Sequence, residues 1–69
     1  MTYHANPPKA CDLCSAPIAE EFSDAFVPLH QMWGNVGPEC VKDAEVRYGT
    51  GLGQRYVMQD DGRYYKVEG

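Results

Sequence analysis

Cys11 and Cys14 stand two residues apart, a spacing that lets one tight turn hold two thiolates on a single ion. Zn²⁺ is the ordinary occupant of such a site and takes four ligands at about 2.0–2.3 Å. Cys40 is the third and last cysteine, so a disulfide framework would always leave one thiol over. In a reducing compartment a CxxC pair reads first as metal binding and second as redox chemistry. Nothing around Cys11 has the strand–CPxC–helix setting of thioredoxin-like redox sites. A third reading treats Cys11, Cys14 and Cys40 as small buried apolar residues with no ion between them. The expectation carried forward is one zinc ion on Cys11, Cys14 and Cys40.

Three cysteines leave a ligand missing. The position three residues before Cys40, where a second CxxC would begin, is Gly37. His30 is the obvious residue type, but it falls at the tip of an expected hairpin. Six or seven extended residues of ~3.3 Å each would set it about 20 Å away, which excludes it. His4 could fold back from the N-terminal segment, and Asp43 follows Cys40 by one helical turn. A water or a partner's residue would leave an open position of the kind catalytic zinc keeps. No Glu or His is placed beside the knuckle as a general base, so the chain is not read as an enzyme.

The elements that must position these residues follow from pattern. Residues 1–10 read as a flexible arm, with Asn6-Pro7-Pro8 holding extended backbone. Residues 11–16 form the knuckle, and residues 21–27 and 32–36 two strands of a hairpin spanning 21–36. Gly37-Pro38-Glu39 is a helix-start signal and Gly49 a stop, which predicts a helix over 38–48. Cys40, Val41, Ala44 and Tyr48 would then share one face. A glycine-rich turn covers 49–53, where a helix stop and tight turn compete with a ligand-cradle reading. A second hairpin covers 54–68.

Asp61-Gly62 predicts a two-residue turn that pairs Asp60 with Arg63, Met58 with Tyr65, Tyr56 with Val67, and Arg55 with Glu68. That register puts Tyr56, Met58, Tyr65 and Val67 on the inner face, and Arg55, Tyr64 and Lys66 outside. A three-residue loop would mix Lys66 into the apolar face, so the shorter loop is preferred. Trp33 is read as core, against the knuckle and helix. Knuckle, hairpin, then a helix carrying a ligand in its first turn is the order of a treble-clef zinc finger. The expected fold is therefore a small α+β metal-stabilised domain with a C-terminal β-hairpin, one domain over 11–69.

Size supports a staple. At 69 residues, core burial roughly cancels an ordering cost of about 1.5 kcal/mol per residue. Net charge is −4. Up to Cys40 there is one lysine, Lys9, against Asp12, Glu20, Glu21, Asp24 and Glu39; from Val41 onward five basic residues balance five acidic ones. That balance does not favour general nucleic-acid binding. No stretch approaches the ~18 apolar residues of a membrane span, and the polar start does not read as a signal peptide. The expected setting is the cytoplasm, with no membrane partner.

Cys11-x-Leu13-Cys14, Ile18, Phe22 with Asp24, Trp33 with Asn35, Cys40, and Gly49-Thr50-Gly51-Leu52-Gly53-Gln54-Arg55-Tyr56 resemble small zinc-finger-like proteins of tailed bacteriophages and prophages. Asp61-Gly62-Arg63-Tyr64 and Lys66-Val67-Glu68-Gly69 extend the likeness to about residues 11–69. Members generally carry CxxC at both ends of the site, so Gly37 is a departure. The resemblance implies phage origin and a host cytoplasmic setting, and no established activity.

Two functions follow as expectations. One is a non-catalytic zinc-binding module that docks on a host or phage protein. The alternative is a nucleic-acid-binding regulatory finger using its C-terminal hairpin, with Gln54, Arg55, Arg63, Tyr64 and Lys66 as the contact residues. Aromatic rings beside basic side chains can stack bases or anchor a protein interface.

Overall fold

A computed structural model describes residues 2–69. Its core is a four-stranded antiparallel sheet of β1 (Glu21–Val27), β2 (Met32–Val36), β3 (Gly53–Met58) and β4 (Tyr64–Glu68), in the order β2-β1-β3-β4. β1 and β2 occupy the two segments, 21–27 and 32–36, expected as strands of a hairpin. The turn between them, residues 28–31, is held by His30 N–H to the Val27 carbonyl and Gln31 N–H to the Pro28 carbonyl.

The helix expected over 38–48 is absent, and no helix occurs among the described residues. The α+β treble-clef assignment is therefore overturned, and the fold is all sheet with turns. Residues 38–45 are a run of turns whose hydrogen bonds have three different spans. Cys40 N–H reaches Gly37, Ala44 reaches Cys40, and Val46 reaches Val41. Only the second has the helical i→i−4 span, and a helix needs that bond repeated. Glu45 takes a left-handed φ of 55° while donating to the Lys42 carbonyl. With the Val46 bond this is a Schellman closure, which ends the run four residues before Gly49. Pro38 and Glu39 are genuine start signals, but one turn cannot repay the cost of helix nucleation. Packing decides instead: Cys40, Val41, Ala44 and Val46 all settle on Val27 and Val36.

The C-terminal hairpin also departs from its expected register. Met58 pairs with Tyr64, Val57 with Tyr65, and Tyr56 with Lys66. Gln59 N–H donates to the Arg63 carbonyl, so the loop is Asp60-Asp61-Gly62, with Gly62 at φ 81°. This is the three-residue loop, and a one-residue slip exchanges the two faces of a strand. Tyr64 thereby becomes core, while Met58 and Val67 are exposed. A bulge between Arg55 and Tyr56 then restores the expected Arg55–Glu68 pair.

Two small cores lie on opposite faces. Alternation places Phe22, Tyr56 and Tyr64 on one face, where they pack together with Ile18. Phe22 stacks on Tyr56 at 5.2 Å and meets Tyr64 edge-on at 5.3 Å. The Tyr64 hydroxyl donates to the Ala19 carbonyl. The other face carries Val27 and Val36 under Cys11 and Ala44. Ser23, also on that face, is buried and hydrogen-bonded to the Tyr48 hydroxyl at 2.8 Å.

The expected arm is docked rather than free. Lys66 N–H donates to the Thr2 carbonyl and His4 N–H to the Tyr64 carbonyl, while Tyr3 bridges Tyr65. Met1 lies outside the described residues. The glycine block has a structural account: Gly49 and Gly53 exchange both backbone hydrogen bonds around a tight turn. A Cβ at Gly53 would sit 2.8 Å from that of Ala25, so only glycine lets this turn close onto β1.

Candidate metal centre

Residues 10–17 make a miniature hairpin. Ala10 bridges Pro17, Cys11 N–H donates to the Ala16 carbonyl, and Ser15 N–H donates back to the Cys11 carbonyl with Ser15 at φ 65°. Asp12 ties this knuckle to β2. Its N–H donates to the Asn35 carbonyl at 2.9 Å, and its Oδ2 accepts the Asn35 N–H at 2.8 Å. Gly34 makes room for it, since a Cβ there would meet Asp12 Oδ2 at 3.3 Å. The knuckle and the turn run 38–45 are thus both fastened to β1 and β2. They converge above Val27 and Val36.

At that convergence the thiols of Cys11, Cys14 and Cys40 all lie within 4.8 Å of one another. Sulfurs bound to one tetrahedral zinc at about 2.3 Å sit about 3.8 Å apart. The three cysteines can hold one metal ion with little movement. No disulfide joins them.

The electrostatics suit a cation. Burial pushes the Cys11 thiol up, but N–H groups of Gly37, Cys14 and Leu13 aimed at its sulfur, with the Cys14 thiol, bring it down to about 7. The Leu13 N–H lies 3.4 Å from that sulfur. Cys40 goes the other way. Its thiol hydrogen-bonds to Cys14, is partly desolvated and faces developing charge on both other sulfurs, and it is pushed up to about 12. Three thiolates this close repel one another unless a cation lies among them. The cluster is ready to exchange protons for a metal.

No family model, curated protein or solved structure matches this chain. Its site must therefore be read from its own residues. No helix in the described residues is long and apolar enough to cross a membrane.

The candidates for a fourth ligand separate clearly. His4 is carried to the aromatic face, where its ring meets Phe22 at 5.2 Å and Tyr56 at 5.3 Å, both edge-on. Its Nδ1 is buried there without a hydrogen-bond partner. Asp43 and His30 both line a cavity of about 200 Å³ together with Cys40, Leu13, Val27, Leu29 and Ala44. The length argument against His30 fails although its hairpin is present. Its premise put Cys40 at the far end of the strands, whereas Cys40 packs onto the cluster that includes Val27, the last residue of β1. Gly37 lies beside Cys11, where an added Cβ would be 3.8 Å from the sulfur.

The five residues expected at a partner or nucleic-acid surface have different surroundings. Gln54 donates its side-chain amide to the Gly49 carbonyl. Arg55 sits between Glu68 at 2.9 Å and Glu21 at 3.5 Å. Tyr64 is buried, while Arg63 lies over the Tyr3 ring at 4.9 Å and Lys66 is exposed on β4. Trp33, expected in the core, is 47% exposed and rests against Phe26 at 6.2 Å. Strand alternation alone could have flagged it, because Trp33 pairs with Phe26 and Val36 occupies the buried face.

Proposed function

We propose that this chain is a small, non-catalytic zinc-binding module whose metal fastens a docking surface for a protein partner. The observation that carries it is the set of three thiols within 4.8 Å, supplied by two segments with no repeating secondary structure. Zinc is the occupant favoured by soft sulfur donors. The ion would replace the helix–helix or helix–sheet packing by which larger domains hold such segments.

The surface it would present is Trp33 on Phe26, an exposed ring on the sheet face opposite Val27 and Val36. Pro28, Leu52 and Phe26 continue it, with Glu45 and Arg47 at its rim. A large aromatic ring with a mixed-charge border is the composition of a protein hot spot. Phage origin and a host-cell partner belong to this reading through the sequence resemblance.

Elemental analysis should find one zinc per chain, lost in Cys40→Ser. A photo-crosslinker at Leu52, exposed beside Phe26, should then trap one stoichiometric partner in host lysate, and Trp33→Ala should lose it while keeping zinc. Zinc-free wild-type protein that unfolds cooperatively would sink the metal. Equal crosslinking by Trp33→Ala would sink the docking surface.

A further inference from the structure

The three-thiol cluster leaves one tetrahedral position open, and the cavity beside Cys40 shows what can fill it. That cavity is mostly apolar, walled by Leu13, Val27, Leu29 and Ala44, and its two ionisable walls besides Cys40 are His30 and Asp43. We propose that His30 swings into this cavity as the fourth zinc ligand, and that Asp43 accepts its other ring N–H. The proposal rests on the zinc-binding reading above.

The placement and chemistry of these groups support it. His30 is exposed on the turn between β1 and β2, so its side-chain torsions are free to move. Its ring is outside the 4.8 Å thiol group, so a rotation toward Cys40 is required. The cavity of about 200 Å³ provides the space for that rotation, exceeding the roughly 30 Å³ share of one water. Finally, three thiolates and one imidazole form a standard closed zinc set, and a ligating histidine commonly hands its second N–H to a carboxylate. Asp43 lines the same cavity as His30 and Cys40 and has the right chemistry for that role.

X-ray absorption on the zinc-loaded chain tests this directly. The expected spectrum has three sulfurs at about 2.3 Å and one imidazole nitrogen at about 2.0–2.1 Å. His30→Ala should lose the imidazole scattering and weaken zinc by more than the ~10–100-fold typical of losing an orienting partner. Asp43→Asn should keep the imidazole and weaken zinc within that ~10–100-fold range. His30→Cys should restore tight binding with a fourth sulfur, which shows that position 30 reaches the ion. An oxygen as fourth ligand, or an imidazole that survives His30→Ala, overturns the assignment while leaving the zinc module intact. A wild-type chain that takes up no zinc overturns the parent reading and this one together.

Discussion

The two faces of the sheet are held by different means. On one, Phe22, Tyr56, Tyr64 and His4 interlock as rings, with the Tyr64 hydroxyl satisfied by Ala19. On the other, small side chains such as Ala44 and Cys11 cover two valines, and the segments supplying them have few repeating backbone bonds. Aromatic rings bring large buried area and favourable ring–ring geometry, so the first face is held by packing, although the buried His4 Nδ1 has no hydrogen-bond partner there. Three clustered thiols bring little buried area, and they lie close enough together to hold a metal ion. The comparison sets a face held by ring packing against one whose three close thiols could hold a metal ion.

The sharpest way to break that comparison is to remove the metal. A structural zinc carries roughly 10–16 kcal/mol of apparent binding free energy in small zinc peptides, comparable with the whole stability of a domain. Hydrogen exchange after chelation should show residues 10–17 and 32–46 losing protection while β3 and β4 keep part of theirs. Uniform loss across all four strands would mean that the faces are not separable.

Phe22→Ala attacks the other face. It should lower stability by about 3–5 kcal/mol in urea titrations of the metal-loaded protein, with zinc stoichiometry unchanged. A loss of zinc in that variant would show that the two faces act as one unit.

Protons compete with the metal. Zinc affinity should rise from about pH 6 to about pH 8, because each protonated thiol must give up its proton. The Cys40 thiol, at about 12, releases one across the whole window. Cys11, at about 7, is protonated below that point and contributes there only. In His30→Ala, where no imidazole of that turn exchanges a proton, the slope of log affinity against pH should therefore drop by one near pH 7, and a constant slope would contradict the Cys11 environment.

Gly37→Cys sharpens the site rather than breaking it. The new Cβ would lie 3.8 Å from the Cys11 sulfur with no clash. Zinc should bind at least about tenfold tighter, ~1.4 kcal/mol, and His30→Ala should no longer weaken it. Continued dependence on His30 would show that position 37 does not reach the ion. The smallest change belongs to Arg55→Ala, whose two ion pairs are partly exposed. Thermal melts should register less than about 1 kcal/mol.

Much of this was legible in the residues, and the failures have specific causes. Two short apolar-containing segments, Glu21–Val27 and Met32–Val36, joined at Pro28-Leu29-His30-Gln31, were enough to place β1 and β2. The knuckle was legible from CxxC spacing, and Cys40 joins it. The helix expected over 38–48 fails because Pro38, Glu39 and Gly49 are local signals, which the packing of Cys40, Val41, Ala44 and Val46 overrides. The second hairpin failed on Tyr64-Tyr65: two adjacent tyrosines fit either face, and loop length alone could not choose between them. His30 was lost because strand length was used to judge a distance that the chain closes by returning along the sheet.

The docked N-terminal segment carries a different consequence. Outer strands with open backbone groups are templates for joining other sheets. Here Thr2–His4 lies along β4, and Asp12 occupies both outward groups of Asn35 on β2. A chain cut after His4 would expose β4 to pairing with its neighbours. The first few residues thus act as a guard against self-assembly, and concentration-dependent aggregation is where their loss would show.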